Sequence, residues 1–87
     1  MDLEEKEKIN EIKQRLSDYV NGNQDDELVK ALSEIVCDKD YPILEKIYFE
    51  HKSLLSVSME TYYDRSTISR KLIRLTRRLV CILYENK

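Results

Sequence analysis

The hydrophobic positions in the first half of the chain recur at helical spacing and predict three helices. In the segment from about Leu3 to Val20, the apolar residues from Ile9 onward are separated by three or four positions, which is typical of one face of an amphipathic helix. A second helix is predicted from Asp26 to Cys37, after a stop at residues 21–23 that contains Gly22. A third is predicted from Pro42, which suits a first helical position, to about His51.

The second half predicts a short helix, a tight turn and a long helix. Ser53 is a candidate N-cap for a helix from Leu54 to about Tyr62, and Asp64 for a last helix that begins at Arg65. The chain has one glycine and one proline in 87 residues, which disfavours a turn-rich β fold. We therefore predict one all-α domain: a small bundle of about five helices with a C-terminal helix-turn-helix, residues 38–87, preceded by acidic helices in residues 1–37.

The last helix carries two apolar stripes. The wider one is predicted to face the core, and it consists of Ile68, Leu72, Leu75, Leu79, Ile82 and Leu83. The narrower one consists of Ile73, Val80 and Tyr84. A second stripe indicates a second packing partner, which is either the first helix of the same chain or a second copy of the chain. A third possibility is that the acidic first helix shields the basic surface of the last one.

Charge is distributed unevenly, although the formal net charge is only -2. Residues 1–50 carry 14 acidic and 7 basic side chains, whereas residues 51–87 carry 3 acidic and 8 basic ones. No acid occurs between Arg65 and Tyr84, and like charges at Arg70, Arg74 and Arg78 repel each other along the helix. Such a basic face indicates an anionic partner, and a nucleic acid is the first candidate.

The helix-turn-helix pattern assigns roles to the residues of this basic face. In this motif the N-terminal half of the second helix enters the major groove of DNA. Arginine can donate two hydrogen bonds to guanine, and hydroxyl groups can bond base edges or phosphates. We expect base contacts early in the helix, and phosphate contacts further along it and at Lys52. The predicted DNA-binding residues are Arg65, Ser66, Thr67, Ser69, Arg70, Lys71, Arg74, Arg77, Arg78 and Lys52.

The segment from Asp38 to Leu79 resembles region four of bacterial sigma factors, and more closely the small phage and prophage regulators that share this module. The resemblance is carried by an acidic-aromatic opening at residues 38–41, an aromatic pair at residues 48–49, the short helix, and the recognition-helix pattern of residues 64–70. It covers about half of the chain. It implies a DNA-binding transcriptional regulator with promoter or operator DNA as its target, and it suggests contact with RNA polymerase. A homodimer is a further expectation, because two joined modules bind DNA more tightly than one.

Other classes of function receive less support from the sequence. His51 is the only histidine, and no carboxylate pair or Cys–His spacing indicates catalysis or a metal site, so we expect neither an enzyme nor a cofactor. Cys37 and Cys81 lack metal-ligand spacing, and no apolar run reaches membrane-spanning length; we expect a cytoplasmic protein with reduced thiols that does not bind membranes. The alternative function is a protein-binding adaptor that keeps the fold without specific DNA binding. It is motivated by Tyr62 and Thr61, where the motif usually has a small and an apolar residue.

Overall fold

The structure is a computed structural model that describes residues 3–85. Its helices, in chain order, are α1 (Leu3–Val20), α2 (Asp26–Ile35), α3 (Tyr41–Leu44, continued by a π-helical turn Glu45–Phe49), α4 (Leu54–Thr61) and α5 (Arg65–Val80, continued by a π-helical turn Cys81–Glu85). The described part of the chain contains no β-strand. The predicted all-α bundle of five helices with a long last helix is therefore confirmed. No described helix is long and apolar enough to cross a membrane.

The helix ends follow local rules in most places. Gly22 has a φ of +107° just after α1, and the Asp25 carboxylate accepts a hydrogen bond from the Leu28 amide at 3.1 Å to cap α2. The prediction that α2 reaches Cys37 was wrong: the helix ends at Ile35, whose carbonyl accepts a hydrogen bond from the Asp38 amide. That bond closes a turn and directs the chain toward α3.

One buried cluster joins the two halves of the chain. Its members come from α1, α2, α3 and α5, and they are Ile9, Ile12, Leu16, Leu28, Ala31, Leu32, Ile35, Tyr41, Leu44, Leu75, Leu79 and Val80. The second apolar stripe of α5 belongs to it, because Val80 is buried and Ile73 and Tyr84 pack against it. The second stripe therefore packs within its own chain, in the cluster that contains residues of α1.

Hydrogen bonds fix α1 in this position. The Arg15 guanidinium donates to both oxygens of Asp25, at 2.7 and 2.8 Å, and to the Tyr84 hydroxyl at 3.3 Å. Arg15 therefore links α1 to the start of α2 and to the end of the last helix. The Asp25 hydrogen bonds raise the pKa of Arg15, so the guanidinium remains charged under all ordinary conditions.

A smaller cluster positions the helix-turn-helix. Val57 of α4 and Ile68 of α5 are fully buried, and they pack with Ile43 of α3. Ile47 and Leu72 cover the edges of this contact. These side chains pack α4 against α5. The polar face of the first turns of α5 is exposed to solvent.

Candidate nucleic-acid interface

The helices α4 and α5 each begin at a side-chain cap, and a short turn joins them. The Ser53 hydroxyl accepts a hydrogen bond from the Ser56 amide at 3.1 Å, and Asp64 accepts one from the Thr67 amide at 2.8 Å. Both predicted N-caps are confirmed. Tyr62 ends α4 in the left-handed conformation, with a φ of 65° and its amide bonded to the Ser58 carbonyl. This conformation reverses the chain within three residues.

Two hydroxyl groups close the turn at positions where the motif usually has apolar or small residues. The Ser58 hydroxyl donates to the Tyr63 carbonyl at 2.6 Å, and the Thr61 hydroxyl donates to the Val57 carbonyl at 2.7 Å. Thr61 also accepts a hydrogen bond from the Tyr63 amide at 3.4 Å. These bonds tie the Tyr63 amide and carbonyl, which lie beyond the end of α4, to side chains of that helix.

The first two turns of α5 present an accessible polar and cationic surface. Arg65, Ser66 and Arg70 are exposed, while Thr67 and Ser69 are half-buried. Neither Arg65 nor Arg70 forms an ion pair with a residue in the described range 3–85. Below them, the fully buried Ile68 anchors the helix to the core. We call Arg65, Ser66, Ser69 and Arg70 the reading surface, after the base contacts that the sequence predicts for the start of this helix.

The cations further along α5 are arranged differently. The Arg74 guanidinium donates to both oxygens of Asp38, at 2.7 and 3.0 Å, and to Asp40 at 2.7 Å. Arg78 donates to Asp38 at 2.7 Å, and the Lys71 ammonium donates to Asp40 at 3.1 Å. We call these five side chains the Asp38–Asp40 cluster. It joins α5 to the segment between α2 and α3.

Two further contacts complete the pairing of this half of the helix. Arg77 forms an ion pair with Glu5 of α1 at 2.7 Å. The Lys71 ammonium also lies 4.7 Å from the centre of the Tyr63 ring, within the range of a cation–π interaction. The repulsion predicted along α5 is reduced within the chain, because Asp38 and Asp40, 31 to 40 positions away, bond Lys71, Arg74 and Arg78. Three cations facing two carboxylates leave the Asp38–Asp40 cluster one net positive charge.

The electrostatics of the cluster keep its groups ionised. The hydrogen bond from Arg74, supported by the Asp40 amide and by Arg78, holds the pKa of the Asp38 carboxyl well below its usual range. Burial opposes ionisation of Asp40, but the hydrogen bonds from Arg74 and Lys71 outweigh it and lower the pKa of that carboxyl too. The same contacts raise the pKa of Arg74. At neutral pH Asp38, Asp40 and Arg74 are therefore all charged.

Lys52, the predicted phosphate contact before α4, also has acidic partners. Its ammonium lies 2.8 Å from Glu60 and 3.5 Å from Glu50. Glu60 in turn lies 3.5 Å from Lys46. Lys52 therefore belongs to a mixed-sign network on the outer side of α4, and it does not lie in an open basic patch.

The sequence predicted the basic face, but it did not show that acids of the same chain pair with some of its cations. The signal was present in Asp38 and Asp40, two acids in a short break just before a helix that packs on α5. Residue spacing alone could not show which cations they contact. Comparisons of the chain with family models, with curated proteins and with solved structures find no match.

Proposed function

We propose that this protein is a sequence-specific DNA-binding transcriptional regulator that acts in the cytoplasm and reads duplex DNA with the first two turns of α5. The observation that carries the proposal is the reading surface itself. It lies at the N-terminal end of the second helix of a helix-turn-helix pair, and its arginines are free of ion pairs with described residues. This is the part of the motif that enters the major groove.

The chemistry of the reading surface suits base edges. Arg65 and Arg70 each offer a planar guanidinium that can donate to the N7 and O6 atoms of guanine. Ser66 and Ser69 offer hydroxyl groups that donate or accept. Thr67 is less available, because its amide and side chain both bond the Asp64 carboxylate and lower the pKa of that group.

The Asp38–Asp40 cluster has a different role in this proposal. Its cations position α5 and contribute a small net positive charge beside the reading surface, where the DNA backbone would pass. Arg74, Arg77 and Arg78 remain 44–49% exposed at their side chains, so phosphate oxygens can approach them. Each such contact competes with a carboxylate already in place, and it contributes less than a contact by an unpaired arginine.

The resemblance to region four of sigma factors extends the proposal to the biological target. Promoter or operator DNA is then the expected ligand, and RNA polymerase is a candidate protein partner. The acidic-aromatic opening that supports the resemblance includes Asp38 and Asp40, which here bond Arg74. The opening therefore supports the orientation of the recognition helix.

The first test measures binding of a fluorescently labelled mixed-sequence duplex by anisotropy at several salt concentrations. Each phosphate neutralised contributes about −0.9 to the slope of log affinity against log salt. Two free arginines and one net charge from the cluster predict a slope of about −2 to −3. A slope near −5 would mean that all six cations of α5 contact phosphates, and that the four paired ones release their carboxylates on binding.

The second test compares two arginine variants on a selected target duplex and on random DNA. Arg70→Ala should weaken binding to the target by about 1–3 kcal/mol and reduce the preference for it. Arg78→Ala removes an arginine that is paired with Asp38. It should weaken binding to the target duplex and to random DNA slightly and equally. Equal effects of the two variants on both duplexes would contradict a base-reading role for Arg70.

A protein-binding adaptor is the second candidate, and the pairing of Lys71, Arg74, Arg77 and Arg78 with acids of the same chain favours it. In this version the ion pairs serve the fold alone. It predicts no measurable DNA binding even at low salt. It also predicts that Arg65→Ala and Arg70→Ala leave a complex with the protein partner unchanged.

A further inference from the structure

The exposed hydrophobic side chains of the protein are concentrated on α4 and the turn that follows it. Of seven large hydrophobic side chains that are more than about a third exposed in the described range, five lie between positions 54 and 63. Leu55, Met59 and Tyr62 are 57%, 71% and 94% exposed, and their spacing of four and three places them on one side of the helix. Clustered exposure of this kind marks interaction surfaces.

We call Leu55, Met59 and Tyr62 the hydrophobic ridge, and the residues around Leu55 and Met59 along α4 are uncharged. Residues 53–59 contain no ionisable group, in a chain in which 37% of residues are charged. Beside the ridge lies a shallow groove of about 310 Å³ lined by Lys52, Ser56, Met59 and Glu60. The rim therefore offers one cation and one carboxylate, already 2.8 Å apart.

We propose that this face of α4 is a homodimer interface, formed with the same face of a second copy of the chain. A two-fold interface requires a surface that is complementary to itself. Here the hydrophobic ridge and the groove share Met59, so each copy can place its ridge against the groove of the other. The rim matches itself as well, because Lys52 of each copy can face Glu60 of its mate.

Charge favours this occupant over DNA. A phosphate backbone on this face would meet Glu60 and Glu50, which form the acidic side of the Lys52 network. A second copy meets both signs in equal number.

The arrangement also suits two reading surfaces on one duplex. Packed helices lie about 8–10 Å apart. In the dimer the two α4 helices would lie between the two α5 helices, so the two α5 helices would be roughly 24–30 Å apart. This is close to the roughly 34 Å that separates successive major grooves on one side of DNA. The inference itself does not depend on DNA binding, since the interface forms between protein chains alone.

The test is sedimentation of the full chain without DNA over a range of protein concentrations. An interface built on one short helix face is small, so we expect a monomer–dimer equilibrium with a dissociation constant on the order of 10 μM. Met59→Glu should leave only monomer across the range. Val36→Glu is the matched control, since Val36 is also an exposed hydrophobic residue, 50% exposed on the distant α2 side; it should leave the equilibrium unchanged.

A second measurement locates the two-fold axis. In a Cys37→Ser, Cys81→Ser background, Met59→Cys should form a disulfide-linked dimer on mild oxidation, whereas Val36→Cys should not. A monomer at every concentration would overturn the proposal, and so would equal loss of dimer in Met59→Glu and Val36→Glu. Because the measurements contain no DNA, these outcomes leave the proposed reading surface untouched.

Discussion

Asp38 shows how one carboxylate can organise a cationic helix. Its side chain is only 8% exposed, and it accepts hydrogen bonds from two arginines of α5 and from the Asp40 amide. A hydrogen-bonded carboxylate at such a position is stabilised in its charged form. The residue therefore fixes the orientation of Arg74 and Arg78 and limits how much positive charge reaches the surface.

Neutralising Asp38 is expected to weaken the fold and strengthen DNA binding. Asp38→Asn should lower the free energy of unfolding by about 1–2 kcal/mol, because charge-assisted hydrogen bonds are lost while the arginines remain partly hydrated. It should also raise affinity for random duplex DNA, because Arg78 loses its carboxylate partner and Arg74 keeps only that of Asp40. Urea denaturation and anisotropy measure the two effects. Glu11→Gln, at an exposed position of α1, is the control and should change stability little.

Stability should fall in acid for the same reason. The carboxyls of Asp25, Asp38 and Asp40 have lowered pKa values in the folded chain, whereas in the unfolded chain they titrate near about 3.9. The unfolded state then binds more protons as the pH falls through about 4, so stability present above that pH is lost below it. Denaturation between about pH 3 and pH 7 should show this loss, and Asp38→Asn should show less of it.

At the scale of elements, the α4–α5 turn combines favourable caps with one unfavourable backbone conformation. Tyr62 adopts a left-handed φ of 65° although it has a side chain. This conformation costs a non-glycine residue roughly 1–2 kcal/mol. The ring is 94% exposed, so contacts within the chain do little to offset the cost.

Replacing Tyr62 by glycine is therefore expected to stabilise the protein. Tyr62→Gly should raise the free energy of unfolding by about 0.5–1 kcal/mol, which is the relief of strain less the greater entropy of glycine in the unfolded chain. Tyr62→Ala is the control, since it removes the ring but keeps the Cβ atom, and it should give no gain. Thermal unfolding of dilute, monomeric protein provides the comparison. A gain in both variants would show that the ring is responsible and the backbone is not.

At the scale of the whole molecule, α1 supplies part of the core against which α5 packs. Leu16 is fully buried in the same cluster as Leu75 and Leu79 of α5. The acidic helix and the basic helix therefore share one hydrophobic core. Glu5 and Arg77 add an ion pair between them at 2.7 Å.

Shortening Leu16 should destabilise the entire domain. Leu16→Ala is expected to cost about 2–5 kcal/mol, because it leaves a cavity in a packed core. This is a large share of the roughly 5–15 kcal/mol that stabilises a typical domain. Val29→Ala, at a position that is 43% exposed, should cost less than about 0.5 kcal/mol. If unfolding followed by circular dichroism lost only the α1 signal, independent folding of residues 38–87 would be established instead.

The sequence by itself determined what depends on neighbours along the chain. Hydrophobic spacing predicted the helices, Ser53 and Asp64 predicted the caps, and the absence of acids between Arg65 and Tyr84 predicted a basic face. These features follow from helix periodicity and from hydrogen bonds spanning three residues. The sequence did not reveal that Thr76 is fully buried, its hydroxyl donating to the Ile73 carbonyl at 2.9 Å.

Only the tertiary structure decided how that basic face is used. The carboxylates of Asp38 and Asp40 reach Arg74 across 34 to 36 positions of sequence, and periodicity carries no information about such distant pairs. The packing of α2 and α3 against α5 places Asp38 and Asp40 beside the arginines. The hydrogen bonds that these carboxylates accept keep them charged, although burial opposes it. Arg74 and Arg78 form ion pairs with Asp38, because the fold places that carboxylate beside them. Arg65 and Arg70 form no ion pair with a described residue, and Asp64 interacts with Arg70 only through the electrostatic attraction of their charges.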